Sequence, residues 1–480
     1  MSAPAGKLPS RAPSPVPGVR VRTAVPFVVA SAIWAVPVPA GLTPQSWHLF
    51  AIFAAAIASV IADALPLLTA AVLAGAAAVL TGTLTPAKAF SGFSNGSVLL
   101  VIVAFIVARS VVKSGLGKRL ALLVVSAFGR STLGLAYSIF FTDALIAPAF
   151  PSNTARGGVL FPIVLALSEG LGSKPDDPAR RRTGGYLMFC GMASLSVSSA
   201  LWLTATSANP IGAGIAERLG VRISFGSWLV AACVPALTAI VALPLVLSRL
   251  YPPDLKATPD ALVAARKALR ALGPLGRDEK WVAGAFLLMV TGWVAGPALG
   301  LDGTAVAFAG LGGLLAARVL TIEDVQREGG TLVTFLWLAL LLAMSAQLNE
   351  LGFMGYVGER LGRALAGLAW PIAFVALTAL YVLMHYLFVS QSAQVLALFG
   401  VFTEVGVRSG VPPALMAFTL LFASSYFSTI TPQGGTQNVI FVGSGYLTQR
   451  ELYRLGALTT GFCMIVFLVV GTPWLLLVAR

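Results

Sequence analysis

From Ala24 to Ala479 the chain returns repeatedly to apolar runs of about 20 residues with almost no charge, the length that crosses a bilayer as a helix. Lipid offers no partner for a backbone N–H or C=O, so each run must close its own hydrogen bonds. Composition agrees: 57% of the 480 residues are hydrophobic and 10% are charged, against about 25% charged in soluble domains. A soluble chain could not bury so much apolar surface. Spans are expected near 24–41, 46–66, 67–84, 97–112, 185–216, 227–248, 281–297, 303–320, 331–349, 412–445 and 456–478. Two further segments, 133–168 and 367–405, carry polar residues at their middles and read as re-entrant hairpins. The expected fold is an all-α polytopic membrane protein. It has about 11 transmembrane helices plus two re-entrant helical hairpins, in an inverted repeat with two broken helices.

A net charge of +14 raises the question of nucleic acid, and its distribution answers it. With both hairpins re-entrant, most of the 32 Lys and Arg fall on one side: the N-terminal tail, 109–130, 174–182, 249–280, Arg318, Arg327, Arg450 and Arg454. That is the positive-inside asymmetry, with a cytoplasmic N-terminus and an outer C-terminus. No nucleic-acid partner is expected. Residues 1–23 are Pro/Ala-rich and basic, without the apolar core of a cleaved signal peptide, and read as a disordered cytoplasmic tail. Cys190, Cys233 and Cys463 lie in apolar segments without metal-type spacing.

The two halves repeat. Val107 to Leu120 resembles Met344 to Phe353, each closing a long apolar helix near a glycine, Gly115 or Gly352. Ser152 lies 37 residues after the first glycine and Ser390 lies 38 after the second. Around them stand Ser152-Asn153-Thr154 and the weaker echo Ser390-Gln391-Ser392. A helix with a polar, helix-breaking cluster follows each: Thr204 to Gly212, then Thr429 to Ile440. Paired broken helices in inverted repeats point to a transporter site near the bilayer midplane. Half-helix N-termini aim N–H groups at an anion, and Ser, Thr, Asn and Gln add neutral hydrogen bonds. Freed carbonyls and hydroxyls could hold a hard cation such as Na⁺.

Phe150-Pro-Ser-Asn-Thr-Ala-Arg-Gly-Gly-Val-Leu-Phe-Pro-Ile163 resembles the first signature of the divalent anion/sodium symporter (DASS) family, closest to its 2-oxoglutarate/malate translocator branch. Ser91 to Val98, Ser390-Gln391-Ser392 and Asn438 to Tyr446 match further family patterns in order, from about residue 46 to the end. The resemblance implies a homodimer in the lipid bilayer, each protomer with a scaffold and a mobile, elevator-like part. On that division, 24–132 and 281–366 are scaffold, 133–250 and 367–480 are the transport halves, and 251–280 is a cytoplasmic linker. The implied substrates are C4–C5 dicarboxylates such as 2-oxoglutarate, malate and succinate, with tricarboxylates in some branches. By position, Ser152, Asn153 and Thr154 would face substrate from one side and Ser390, Gln391 and Ser392 from the other. Thr206, Asn209, Thr431 and Pro432 would complete the site. Na⁺, where used, would sit near Ser152, Asn153, Thr204, Ser390 and Thr429.

This chain departs from the family in Gln391 and Ser392, where Asn and Thr are usual, which weakens a cation site there. Arg156 is placed where the half-helix after the first tip begins, and both the dipole and desolvation call for an anionic partner. Substrate and Asp143 are the two candidates. With Arg156 unpaired, the empty carrier would be too charged to reorient, which tilts the expectation toward dicarboxylate exchange. Na⁺-coupled di- or tricarboxylate symport is the alternative. An anion channel, the second alternative, should show rings of repeated groups. No Ser–His–Asp spacing, HExxH or acid cluster supports an enzyme. His385 reads first as a packed hairpin histidine and second as a proton-sensitive group, and His48 as interfacial. A bacterial inner membrane is the expected location, with a plastid as the alternative.

Overall fold

The computed structural model describes residues 19–177, 181–365, 367–388 and 390–479. Within them every regular element is helical, and the long apolar helices include Pro44–Ile61, Gly96–Ser114, Phe225–Leu250 and Gly329–Glu350. Of the expected 1–23 tail, residues 1–18 lie outside the described residues, and a helix already begins at Val19 and runs to Ala35. Helix starts follow local chemistry. Thr43 accepts the Ser46 amide with Pro44 at the first helical position, and Asn95 accepts the amides of Ser97 and Val98.

One group of helices packs among itself: Pro44–Ile61, Leu67–Leu80, Gly96–Ser114, Gly303–Ala316 and Gly329–Glu350. Gly92 allows its close approach, since a Cβ there would stand 1.9 Å from the Ala339 carbonyl oxygen. A second group forms around Arg181–Leu201, buried continuously from Thr183 to Leu201. Thr132–Ile146, Asn153–Gly170, Phe225–Leu250 and Pro413–Tyr426 surround it. Its glycines admit large neighbours: Tyr446 lies against Gly184 and Phe441 against Gly191. Apolar side chains turned outward, such as Leu80 at 85% and Leu288 at 74% exposure, suit contact with lipid tails.

Both segments expected to be hairpins fold as a helix, a tight turn and a helix. The first is Thr132–Ile146, a tight turn at Ala147–Ala149, and Asn153–Gly170. The second is Trp370–Met384, a turn at His385–Leu387, and a descending arm over Gln391–Gln394 and Gly400–Arg408 with a widened π turn at Val395–Phe399 between them. Both expected breaks also form. The first separates Arg181–Leu201 from Ala208–Arg218; the second separates the helix ending at Thr429 from Asn438–Val442.

A pair of amphipathic helices preceding the hairpins was not expected. Leu116–Phe128 lies in what reads as a basic loop, and Phe353–Ala364 is its counterpart. Each starts at a left-handed glycine, Gly115 at φ +78° and Gly352 at φ +80°, where a side chain would be strained. Each precedes a hairpin. Their short apolar stripes fall below the length that marks a span, which is why they escape a search for apolar runs.

Candidate functional site

The two tips meet. Ser152 caps the helix Asn153–Gly170 by accepting the Ala155 amide, and Ser390 caps Gln391–Gln394 by accepting the Ala393 amide. Their backbones match, at φ −142°, ψ 121° and φ −130°, ψ 125°. From the next residue of each tip, the Asn153 amide donates to Gln391 Oε1 at 3.2 Å.

The third residue of each tip contacts the opposite half's broken helix. Ser392 bonds the hydroxyl of Ser207 at 2.9 Å, and Thr154 bonds the hydroxyl of Thr436. Ser207 and Thr436 each stand two residues before an asparagine that closes its break in the same way. Asn209 Nδ2 donates to the carbonyls of Ser199 (2.8 Å) and Trp202 (3.1 Å). Asn438 Nδ2 donates to those of Ser428 (2.6 Å) and Thr431 (2.9 Å). Two of the carbonyls freed by each break are thus satisfied by one buried amide. The bonding is reciprocal, each tip contacting the break of the other half.

A cavity of about 230 Å³ opens at the junction, lined by Ser152, Asn153, Thr206, Ser207, Ser390, Gln391, Ser392, Gly435 and Thr436, with Phe105, Thr334 and Trp337 across from them. It is smaller than the roughly 300–1,000 Å³ of drug-sized sites. The helix N-termini at Ser152 and Ser390 converge on it, which favours an anion. No charged side chain stands among its described lining residues. A larger cavity of about 430 Å³, lined by Ser97, Arg218, Asp302 and others, lies apart from the tips.

Of the expected site residues, Ser152, Asn153, Ser390, Gln391, Ser392 and Thr206 line the junction cavity, while Thr154 reaches it through Thr436. Asn209 is a fully buried clamp, and Thr431 and Pro432 flank the second break outside the lining. Arg156 does not reach the cavity, and it is not unpaired. It is fully buried, with one guanidinium nitrogen 3.1 Å from Asp143 Oδ1 and 2.6 Å from Ser198 Oγ. The other donates to Asn153 Oδ1, Ser199 Oγ and the Leu195 carbonyl. Of the two candidate partners, the carboxylate thirteen residues back is the one it has. Arg156 therefore fixes the Asn153 carbonyl, leaving the Asn153 amide to face Gln391.

Sequence reasoning missed Ser198 and Ser199, which hold Arg156, and Ser207, Gly435 and Thr436, which line the cavity. The signal was present in the hydroxyls at Ser194, Ser196, Ser198 and Ser199, dense for an apolar span.

Around the first tip the guanidinium already bonds the oxygens of Asn153, Ser198, Ser199 and Leu195. Thr204 Oγ1 is turned to the Pro148 carbonyl at 2.8 Å, and Thr429 Oγ1 to Gly456 and Thr460. The observation that speaks for a cation is that the buried amide oxygens of Asn209 and Asn438 have no hydrogen-bond partner among the described residues.

The profile of the family described as sodium:sulfate symporter transmembrane region matches residues 20–479. The putative malate transporter YflS of Bacillus subtilis is 39% identical over 456 residues, 94% of this chain and 95% of the relative. Dicarboxylate transporter 2 of Spinacia oleracea chloroplasts is 39% identical, over 92% of this chain and 79% of the relative. The citrate/succinate antiporter of Escherichia coli is 32% identical, over 93% and 96% respectively. The Alcanivorax borkumensis YdaH transporter shares the fold at a TM-score of 0.55 and 16% identity, covering 82% of this chain and 88% of that one.

Proposed function

We propose that this chain, which belongs to the sodium:sulfate symporter family of multi-pass membrane transporters, exchanges one C4–C5 dicarboxylate for another. It is a transporter and not an enzyme, as its relatives are. The observation that carries the substrate reading is the small cavity where two helix N-termini and the side chains of Asn153, Ser390, Gln391 and Ser392 converge. Two carboxylates separated by a short chain can take one tip each, drawing on amide dipoles and neutral donors. The names of the malate, dicarboxylate and citrate/succinate relatives support the same class.

Exchange now rests on a different footing from an unpaired arginine. The positive charge behind the first tip is covalent, held by Arg156 within a neutral pair with Asp143. With those side-chain oxygens bonded to the guanidinium, fewer ligands are left for Na⁺ at the first tip, which favours exchange over Na⁺ coupling. The antiporter among the relatives supports this choice over symport. The rest of the reading is an elevator. The helices around Arg181–Leu201, with both hairpins, slide against the scaffold, with Phe105, Thr334 and Trp337 on the fixed side. The remaining features are a bacterial inner membrane, a cytoplasmic N-terminus and a homodimer.

The experiment is ligand-induced thermal stabilisation of the purified protein. Malate, succinate and 2-oxoglutarate should stabilise it at concentrations where acetate and lactate do not. Equal effects from mono- and dicarboxylates would refute a site built from two tips.

A further inference from the structure

Gln437 belongs to the polar cluster of the second break and is fully buried. Neither its Nε2 nor its Oε1 has a hydrogen-bond partner among the described residues. Other buried amides nearby are in use: Asn209 and Asn438 clamp the breaks, and Gln394 donates to the Tyr381 carbonyl. A carboxamide can both donate and accept, and leaving all of that capacity unmet in a dry interior is costly. Such a group calls for a partner that arrives from elsewhere.

Its position says from where. A Cβ at Gly435 would stand 2.5 Å from Gln437 Nε2 and 2.7 Å from Oε1. Gly435 is extended, at φ −156° and ψ 139°, a backbone open to any residue. Space for the amide, not backbone strain, therefore requires glycine there. Gly435 also lines the junction cavity, so the amide lies directly behind the cavity wall with only a glycine between. On its other flank Gln437 packs against Gly157, where a Cβ would stand 3.4 Å from the Gln437 Cβ. Gly157 is one turn past Asn153, on the helix that Ser152 caps. A glutamine side chain is long and flexible enough to carry its amide past Gly435 into the cavity.

The two halves differ at this point. Ser207-Ala208-Asn209 in the first break corresponds to Thr436-Gln437-Asn438 in the second. Ala208 is buried and apolar, so only one half carries the extra amide. Matched tips suit matched carboxylates. An added donor and acceptor on one side suits a substrate whose carbon chain is itself lopsided.

We propose that Gln437 is a specificity residue: its amide bonds the hydroxyl or oxo oxygen on the carbon next to one carboxylate, and so selects 2-hydroxy and 2-oxo dicarboxylates over unsubstituted ones of the same length. This rests on the dicarboxylate reading above and narrows it. A hydroxyl accepts from Nε2 or donates to Oε1, and an oxo oxygen accepts from Nε2. The substituted end is the one at the first tip, because Gln437 lies against that tip's helix. Succinate and glutarate offer neither group, and a site built to hydrogen-bond a substituent rejects the ligand that lacks it.

Binding of matched pairs to the purified full chain tests this: malate against succinate, and 2-oxoglutarate against glutarate, equal in charge and length within each pair. The wild type should favour the substituted member by about tenfold or more. Gln437→Leu keeps the bulk and removes the amide. It should weaken malate and 2-oxoglutarate to near the level of their partners, while leaving succinate and glutarate within about threefold. A merely structural role would weaken all four alike, and that result would overturn the proposal. So would a preference that survives in Gln437→Leu or is missing in the wild type. Gly435→Ala, whose Cβ displaces the amide, should lose the preference too, and it supplies the same test if Gln437→Leu does not purify. If no member of either pair binds the wild type, the dicarboxylate reading falls first and this assignment falls with it.

Discussion

Replacing Asp143 by Asn should do more damage than a single lost hydrogen bond. Asp143 and Arg156 are both completely buried, and no other carboxylate contacts the guanidinium among the described residues. Asparagine keeps the shape but removes the charge, leaving a guanidinium in a dry interior with only hydroxyls and carbonyls around it. Breaking such a pair on one side costs about 3–5 kcal/mol, or roughly two to four decades in the folding equilibrium. Removing both charges with well-packed apolar residues is near neutral or better. Asp143→Leu/Arg156→Met should therefore recover most of the stability that Asp143→Asn loses. The double variant should still bind dicarboxylate poorly, by roughly tenfold, because Asn153 loses the donor that orients it. Denaturant unfolding in bicelles, run on the wild type, Asp143→Asn and the double variant, measures both effects. A double variant no more stable than Asp143→Asn would show that the pair's desolvation cost is not what governs this core.

Asn153→Ala and Ser390→Ala should each weaken dicarboxylate binding roughly tenfold, at about 1–3 kcal/mol per lost bond, while inserting and purifying normally; unchanged affinity in both would move the site elsewhere. A cysteine at Asp176 should react with impermeant reagent only from the cytoplasm and one at Arg360 only from outside. Reaction of both from one face would refute the inverted arrangement. Outside the spans, the Lys113 ammonium and the Thr321 amide hold the Asp324 carboxyl down to about 2, from about 3.9 in an unfolded chain. This contribution is fully present above about pH 4 and lost as pH falls through about 2. The stability difference between wild type and Asp324→Asn should shrink over that window, and a pH-independent difference would contradict the assignment.

Much of this architecture was legible because lipid enforces it. Charge-free runs must become helices, and a polar cluster inside one must be a break that something satisfies. Thr204 to Gly212 and Thr429 to Ile440 announced both breaks for that reason. The asparagine clamps were not legible, since nothing in a sequence says that Asn209 reaches back ten residues to Ser199. The partner of Arg156 was narrowed to two by electrostatics but could be chosen only in three dimensions, where a carboxylate on the opposite arm reaches it. Thr436 and Ser207 went unnoticed because their role depends on which half faces which tip. The helices Leu116–Phe128 and Phe353–Ala364 were hidden by their length, although Gly115 and Gly352 marked where each begins.

Reconstitution into liposomes tests the central claim most directly. Labelled malate or 2-oxoglutarate should enter vesicles preloaded with unlabelled dicarboxylate and should enter empty vesicles poorly. Uptake should be indifferent to an inward Na⁺ gradient. Robust Na⁺-driven uptake into empty vesicles would contradict exchange, and no dicarboxylate uptake under either condition would contradict the site itself.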